Sequence, residues 1–345
     1  FLSCRGILMT KESAGNTEIL FANPNPGDYG AIDRWSIPRS VPGAGSYGVT
    51  QSLVDAFFME NGLSPILGYE NNDYSKPIIN PASGYTETGF STEPEVRNTG
   101  WQECQGNVNP GQVTMAGAYN MYCHREARFY IAVLYNRAWF SKTAEGGRQT
   151  MFLKGEQDGG ISMDAPRNGY LQNKLAHPDR DNVNVTFPYR PAVNYRLAEA
   201  YLNYAEALNE CDPGNPDIMK YVNLIRVRAG IPEYGTGAGM ITEPQGQEEV
   251  RQSIYKERRV ELCCESSIRY MDIRRLKIGE EILNRDFYGM NYFGSKLSDD
   301  KNDPDAYFVR TRYQTRSFQK KNYWFPVPQS EMDINPNLVQ NPFWK

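Results

Sequence analysis

The stretch Tyr195-Arg-Leu-Ala-Glu-Ala-Tyr-Leu-Asn-Tyr-Ala-Glu-Ala-Leu-Asn209 decides the fold. Ala198, Tyr201, Ala205 and Leu208 recur at spacings of three and four, which places them on one stripe of an α-helix. The alanines let a partner helix approach closely, and Tyr201 fills the remaining volume. Asp212-Pro-Gly-Asn-Pro216 breaks this helix. A second pattern follows from Asp217, with Ile218, Tyr221, Val222 and Ile225 on one face. It ends at Ala229-Gly230 before Ile231-Pro232, because glycine takes the left-handed closing position and proline blocks continuation.

Two helices of this size joined by a tight break predict an αα-hairpin, and the Ala/Tyr spacing is that of a tetratricopeptide (TPR) unit. Downstream, the spacing predicts a third helix over 247–276, extending towards Leu283. Its inner stripe reads Val260, Cys263, Cys264, Ser267 and Met271. Glu265 and Arg269 stand at i and i+4, a favourable order for a helix ion pair. The charged set Arg258, Glu261, Glu265, Arg269, Asp272 and Arg275 reads as a structural ion-pair network. Carboxylates among arginines titrate low, whereas the general acid of a glycosidase needs a raised pKa.

The chain before residue 190 has a different texture. Asn23-Pro-Asn-Pro-Gly-Asp28, Pro42-Gly-Ala-Gly45 and Asn107-Val-Asn-Pro-Gly111 are turn-forming clusters. Between them, Phe129–Leu134 reads as a short strand. Gln51–Met59 reads as a short helix capped by Thr50. The expected organisation is a loop-rich, ligand-facing segment over 1–190 and a helical scaffold over 191–345, folded as one intertwined domain.

Composition narrows the function. Across 345 residues, 40% are hydrophobic, enough for a real core, and the net charge of −4 argues against nucleic-acid binding. No run of about 18 apolar residues is present, so no helix is expected to span a bilayer. His124 and His177 stand at no metal or triad spacing, and the sequence holds no G-x-S-x-G, H-E-x-x-H or P-loop motif, so nothing points to an enzyme. No cofactor is expected. Asp299, Asp300, Asp303 and Asp305 gather oxygen ligands that calcium would accept, but the EF-hand glycine and glutamate are absent, and a solvated acidic loop is the better reading.

Four stretches together resemble the SusD/RagB family, the surface nutrient-binding lipoproteins of Bacteroidetes. They are Arg196-Leu-Ala-Glu-Ala-Tyr-Leu-Asn-Tyr-Ala-Glu-Ala-Leu208, Asn223-Leu-Ile-Arg-Val-Arg-Ala-Gly-Ile-Pro232, Glu257-Arg-Arg-Val-Glu-Leu-Cys-Cys-Glu265 with Arg269-Tyr-Met-Asp-Ile-Arg-Arg275, and Trp324-Phe-Pro-Val-Pro-Gln-Ser-Glu-Met-Asp-Ile-Asn-Pro-Asn337 running on to Trp344. Each is common alone; all four in this order are specific. The resemblance implies a mainly α fold of TPR-like αα-hairpins (an α–α superhelix) with a long irregular segment and a few short strands. It further implies the C-terminal portion of a longer protein whose N-terminal helical region and lipid anchor lie outside this segment. The implied role is at the outer membrane, facing outward, where the protein captures oligosaccharide for a SusC-like TonB-dependent transporter. Peptide cargo is the alternative within the family. A TPR interaction scaffold without a small ligand is the alternative outside it.

Aromatic residues make up 12% of the chain, with 23 tyrosines. A flat ring covers the apolar face of a sugar while its polar tip stays wet. Trp35, Tyr47, Tyr69, Tyr74, Tyr85 and Trp101 lie in Gly/Pro/Asn-rich stretches off any periodic face, which makes them the candidate ligand-binding residues. The competing expectation for each is that it pins a loop to the scaffold.

Overall fold

A computed structural model describes residues 1–23, 29–97, 111–140, 148–160, 163–180, 186, 188–265 and 267–344. Its helices in chain order are α1 (Leu2–Gly6), α2 (Tyr29–Ser36), α3 (Gln51–Val54), α4 (Ala127–Ala132), α5 (Leu197–Cys211), α6 (Pro216–Ala229), α7 (Gly246–Glu261), α8 (Ile268–Arg275), α9 (Gly279–Ile282) and α10 (Gln329–Ile334). The strands are β1 (Ile19–Asn23), β2 (Ile66–Tyr69), β3 (Pro77–Ile79), β4 (Glu95–Val96), β5 (Gln112–Thr114), β6 (Val133–Leu134), β7 (Trp139–Phe140), β8 (Arg148–Gln149), β9 (Leu171–Gln172), β10 (Ala192–Arg196), β11 (Asp286–Met290) and β12 (Arg310–Thr315). They pair antiparallel in two-stranded ribbons: β1 with β10, β2 with β3, β4 with β5, β6 with β9, β7 with β8, and β11 with β12. The long elements are helical, and the fold class is mainly α.

The hairpin α5–α6 forms as its spacing dictates. Asn215 accepts a hydrogen bond from the Asp217 amide and Pro216 starts α6, so the new helix begins with its free donors partly satisfied. Gly230 closes α6 with φ at 73°, the left-handed region that favours glycine. Ala198, Leu202 and Ala205 of α5 pack on Ile218, Met219, Val222 and Ile225 of α6, with Ile254 of α7 completing the cluster. Asn209 and Gln247 exchange side-chain-to-carbonyl hydrogen bonds of 3.0 and 2.9 Å, which tie the end of α5 to the start of α7.

The expected third helix is two helices. α7 stops at Glu261 and α8 starts at Ile268, with Cys264 at φ 60° in the turn between them. The expected stripe therefore divides: Val260 and Cys263 are buried, while Ser267 and Met271 face solvent. Phe129–Leu134 is likewise not a strand throughout. Its first four residues finish α4 and only Val133 and Leu134 form β6. Thr50 caps α3 as expected, accepting from the Leu53 amide, but the helix ends at Val54.

Strand pairing of Ile19 with Arg196 and of Asn23 with Ala192 stitches the early chain onto the start of α5. The larger core joins Phe57, Phe58, Tyr122, Phe129, Tyr135, Phe152 and Tyr170 to Val260, Cys263, Tyr307 and Phe308. Tyr135 stacks between Tyr122 and Phe129, at 4.3 and 5.4 Å between ring centres.

Beside this core lies a dry knot of charge. Arg196 donates to Glu18 and Glu261, both at 2.8 Å, and to Glu265 at 2.7 Å. Arg128 reaches Glu126 and Glu257 at 2.6 Å and Glu261 at 3.0 Å. Lys174 holds Glu265 at 2.6 Å, Arg226 holds Glu257 at 3.2 Å, and Arg228 joins Glu18 and Glu261. Each of these five cations has a carboxylate, and Glu18, Glu126, Glu257, Glu261 and Glu265 supply five negative charges in return. Burial pushes the Glu261 carboxyl up, but Arg228, Arg196, Arg128 and Lys174 together outweigh it and hold it well below the usual carboxylate range.

Candidate functional site

The charged residues singled out in the sequence separate into three groups. Glu261 and Glu265 belong to the buried knot. Arg258 bonds Asp272 at 2.8 Å and reaches Glu199 at 3.5 Å, and Arg275 joins Glu206 and Asp272 across α5 and α8. Arg269 belongs to neither. The break after α7 turns Glu265 inward to Arg196 and Lys174, so the i, i+4 pair with Arg269 does not form. Arg269 faces a cleft instead.

That cleft runs along the β11–β12 ribbon as three adjoining hollows. The central one, about 310 Å³, lies between Thr50, Ser52 and Leu53 on one side and Arg259, Arg269 and Phe287 on the other. An outer hollow of about 650 Å³ shares Cys264, Arg269, Leu283 and Arg316 with it. On the other flank, about 510 Å³ bounded by Arg167, Asn168, Tyr292 and Tyr313 shares Gly48 and Arg316. Among the described residues, no aspartate, glutamate or lysine lines any of the three.

Both parts of the chain build the walls. Arg259 comes from the last turn of α7 and donates through Nη2 to the Ser52 carbonyl at 2.7 Å and its hydroxyl at 3.2 Å. Arg316, just past β12, lies over the Phe287 ring at 4.2 Å. Arg285 lies over Tyr74 at 4.4 Å. The base of the cleft is clamped. Asp55, buried at the end of α3, accepts two 2.7 Å bonds from the fork of Arg310 on β12, a third from the Tyr69 hydroxyl at 2.7 Å, and one from Gln51 at 2.9 Å. Burial and the Asp55 charge push the Tyr69 phenol up, so it stays a donor.

The candidate aromatics take different positions around this cleft. Tyr74 lines it, with Tyr69 packed behind at 4.3 Å between ring centres. Tyr47 sits between Ser46 and Gly48 of the wall and meets Trp35 edge-on at 5.1 Å, with 38% and 41% of the two residues exposed. Tyr85 is buried, its hydroxyl donating to Glu87 at 2.8 Å and its ring under Arg125, so it is a loop anchor and not a ligand contact. Trp101 lies outside the described residues. Arg167, Arg259, Arg269, Arg316, Tyr292 and Tyr313 were not among the expected site residues. The signal for some of them is the spacing Arg310-Thr-Arg-Tyr-Gln-Thr-Arg316, a strand that alternates cations with a ring.

The acidic loop does not gather its oxygens on one point. Asp299 accepts from the Gly89 amide, Asp300 from the Asn302 amide, and Asp303 and Asp305 engage Lys296. Among the described residues, the carboxylates and imidazole that do converge are Glu60, Glu95 and His124, within 4.8 Å of one another. Arg97 already pairs with both carboxylates of that trio, 3.0 Å from Glu60 and bonded to Glu95.

A sequence profile described as the SusD family matches residues 14–344. SusD-like protein P2 of Formosa agariphila is 33% identical over 146 residues, a match covering 42% of this chain and 24% of that protein. Among solved structures, a SusD-like protein of Bacteroides fragilis superposes with a TM-score of 0.66 at 26% identity, covering 99% of this chain and 56% of that one. A SusD-like carbohydrate binding protein of B. fragilis shares the fold at 21% identity with a TM-score of 0.61, covering 90% of this chain and 51% of that one. The chain thus spans about half the length of these structures.

Proposed function

The chain belongs to the SusD family, and from that premise we propose that it captures oligosaccharide at the cell surface and hands it to a TonB-dependent outer-membrane transporter. The β11–β12 cleft is the site. The observation that carries this reading is the cleft itself, an open run of hollows walled by half-exposed rings and forked donors. Tyr313 offers a face for a sugar ring, Tyr74 lines the same cleft with its ring held between Arg285 and Tyr69, and the exposed Tyr47–Trp35 pair adjoins Ser46 and Gly48 of the wall. A sugar masking ~40 Å² of a ring gains about 1 kcal/mol. Two or three such contacts with a few hydrogen bonds give affinities between about millimolar and micromolar, suited to a protein that must release its cargo. Membrane attachment is assigned to a lipid anchor, and among the described residues no helix is long and apolar enough to cross a membrane. Binding is favoured over catalysis because glycoside hydrolysis needs a carboxyl pair and, among the described residues, none lines the cleft.

Isothermal titration of the full-length protein against neutral and charged oligosaccharides tests the reading. Binding to at least one glycan class, weakened by Tyr74→Ala, is the expected result. Silence towards every glycan, with binding to peptides alone, overturns it.

A further inference from the structure

Four arginines, Arg167, Arg259, Arg269 and Arg316, line the three hollows, and among the described residues none of them pairs with a carboxylate. Elsewhere, arginines without a carboxylate partner, such as Arg125 and Arg274, spend their donors on backbone carbonyls. The wide hollow of about 960 Å³ between α5 and α8 sets Arg258, Arg274 and Arg275 against Glu199, Glu206, Glu210 and Asp272. The chain as a whole carries a net charge of −4, so the cleft is a local excess of positive charge on an acidic protein.

We propose that the cleft selects anionic oligosaccharides, those bearing sulfate esters or carboxylates, and that Arg259 and Arg269 form the pocket for the anionic group. The proposal rests on the glycan-capture reading and names its substrate class. Its ground is an unmet demand for negative charge. Arg269 is half-buried beside Arg259 with no carboxylate in ion-pair contact; burial and then the Arg259 charge lower its pKa to about 10, and the more distant Asp272, already bonded to Arg258 and Arg275, offsets this only in part. A bound anion between the two guanidinium groups removes that repulsion.

The residue type supports the same ligand. Every cation lining the cleft is arginine, whose planar fork meets a carboxylate or a sulfate with two parallel hydrogen bonds and sheds water more readily than an ammonium group. Arg259 uses Nη2 alone on Ser52, and the Thr50 and Ser52 hydroxyls, bonded to each other at 3.0 Å, leave one proton between them as a further donor in the same hollow. The arrangement also extends along the cleft. Arg269 and Arg316 are shared by the central and outer hollows, and Arg316 by the central hollow and the one beyond Gly48. A linear sugar with a charge on successive residues meets successive arginines.

The test titrates the full-length protein with a sulfated polysaccharide and its desulfated form, and with a polyuronate and its carboxyl-reduced form. An anionic form is expected to bind about 10- to 100-fold tighter than its neutral counterpart, with affinity falling as salt rises. Loss on desulfation assigns a sulfate ester, and loss on carboxyl reduction assigns a uronate. Arg269→Gln and Arg259→Gln/Arg269→Gln should collapse the anionic-to-neutral preference, and Arg269→Lys should recover part of it, since charge returns without the fork. Unfolding curves on the same samples separate lost binding from lost fold. Equal affinity for charged and neutral forms overturns this proposal and leaves glycan capture standing, as does a preference that survives in the double variant. Silence towards all four polymers overturns both.

Discussion

Arginines lie in two settings on either side of the break between α7 and α8, and the contrast separates structure from function. In the buried knot, Arg128, Arg196, Arg226 and Arg228, with Lys174, are matched charge for charge by five glutamates away from water. In the cleft, Arg167, Arg259, Arg269 and Arg316 meet no carboxylate among the described residues. Residue type is the same in both places. What differs is the supply of counter-charge: a saturated cluster is finished, while an unsaturated one still has something to bind.

The sharpest way to break this comparison is Glu261→Ala. It strips one partner from Arg196, Arg128 and Arg228 at once, leaving five cations against four carboxylates, and is expected to lower stability by about 3–5 kcal/mol in denaturant unfolding. A loss below about 1 kcal/mol would mean the knot is not dry.

Acid acts on the same cluster more gradually. The Glu261 and Glu265 carboxyls are held below their ordinary value of 4.5; burial opposes this, but the cations around them prevail. The unfolded chain therefore takes up protons that the folded one refuses. This stabilisation is full above pH 4.5 and drains as pH falls through the lower folded values. Melting temperatures measured from pH 7 to pH 3 should be level at first and then decline, and a level profile to pH 3 would contradict the pairing.

Tyr69→Phe removes one of the bonds to Asp55 while keeping the ring against Tyr74, so thermal unfolding should register a loss of about 1 kcal/mol. The smallest effect is expected at Arg269→Gln. No ion pair is lost and a repulsion with Arg259 is relieved, so stability should stay within about 0.5 kcal/mol of the parent or rise slightly. A loss as large as that at Glu261 would place Arg269 in the structural network and erase the distinction.

The sequence makes the hairpin α5–α6 plain because alanine spacing, a Pro start and a Gly end all agree there. The α7–α8 break is hidden because Leu262-Cys-Cys-Glu265 contains neither glycine nor proline. It is imposed from outside, by Arg196 and Lys174 drawing Glu265 inward. Phe129–Leu134 misleads for a known reason: a short apolar run fits a buried helix as well as a strand. Of the candidate rings, Tyr74 and Tyr47 stand in or beside the cleft, whereas Tyr85 is drawn under Arg125 by contacts far along the chain. The cleft arginines escape a linear reading altogether. Arg167, the Arg259–Arg269 pair and Arg316 come from distant parts of the chain, and local periodicity carries no record that they line one cleft.

The clamp at Asp55 has a bearing on how any guest is chosen. Its carboxylate fastens the end of α3 to β12, the two elements from which opposite sides of the cleft rise. That fastening, beside the cleft, resists a change in the spacing between them. Less conformational freedom remains to be lost there on binding, which favours fast exchange of a rigid visitor. Discrimination then falls to pitch: the gaps between charges along the guest must match the intervals between guanidinium groups, as teeth match a rack.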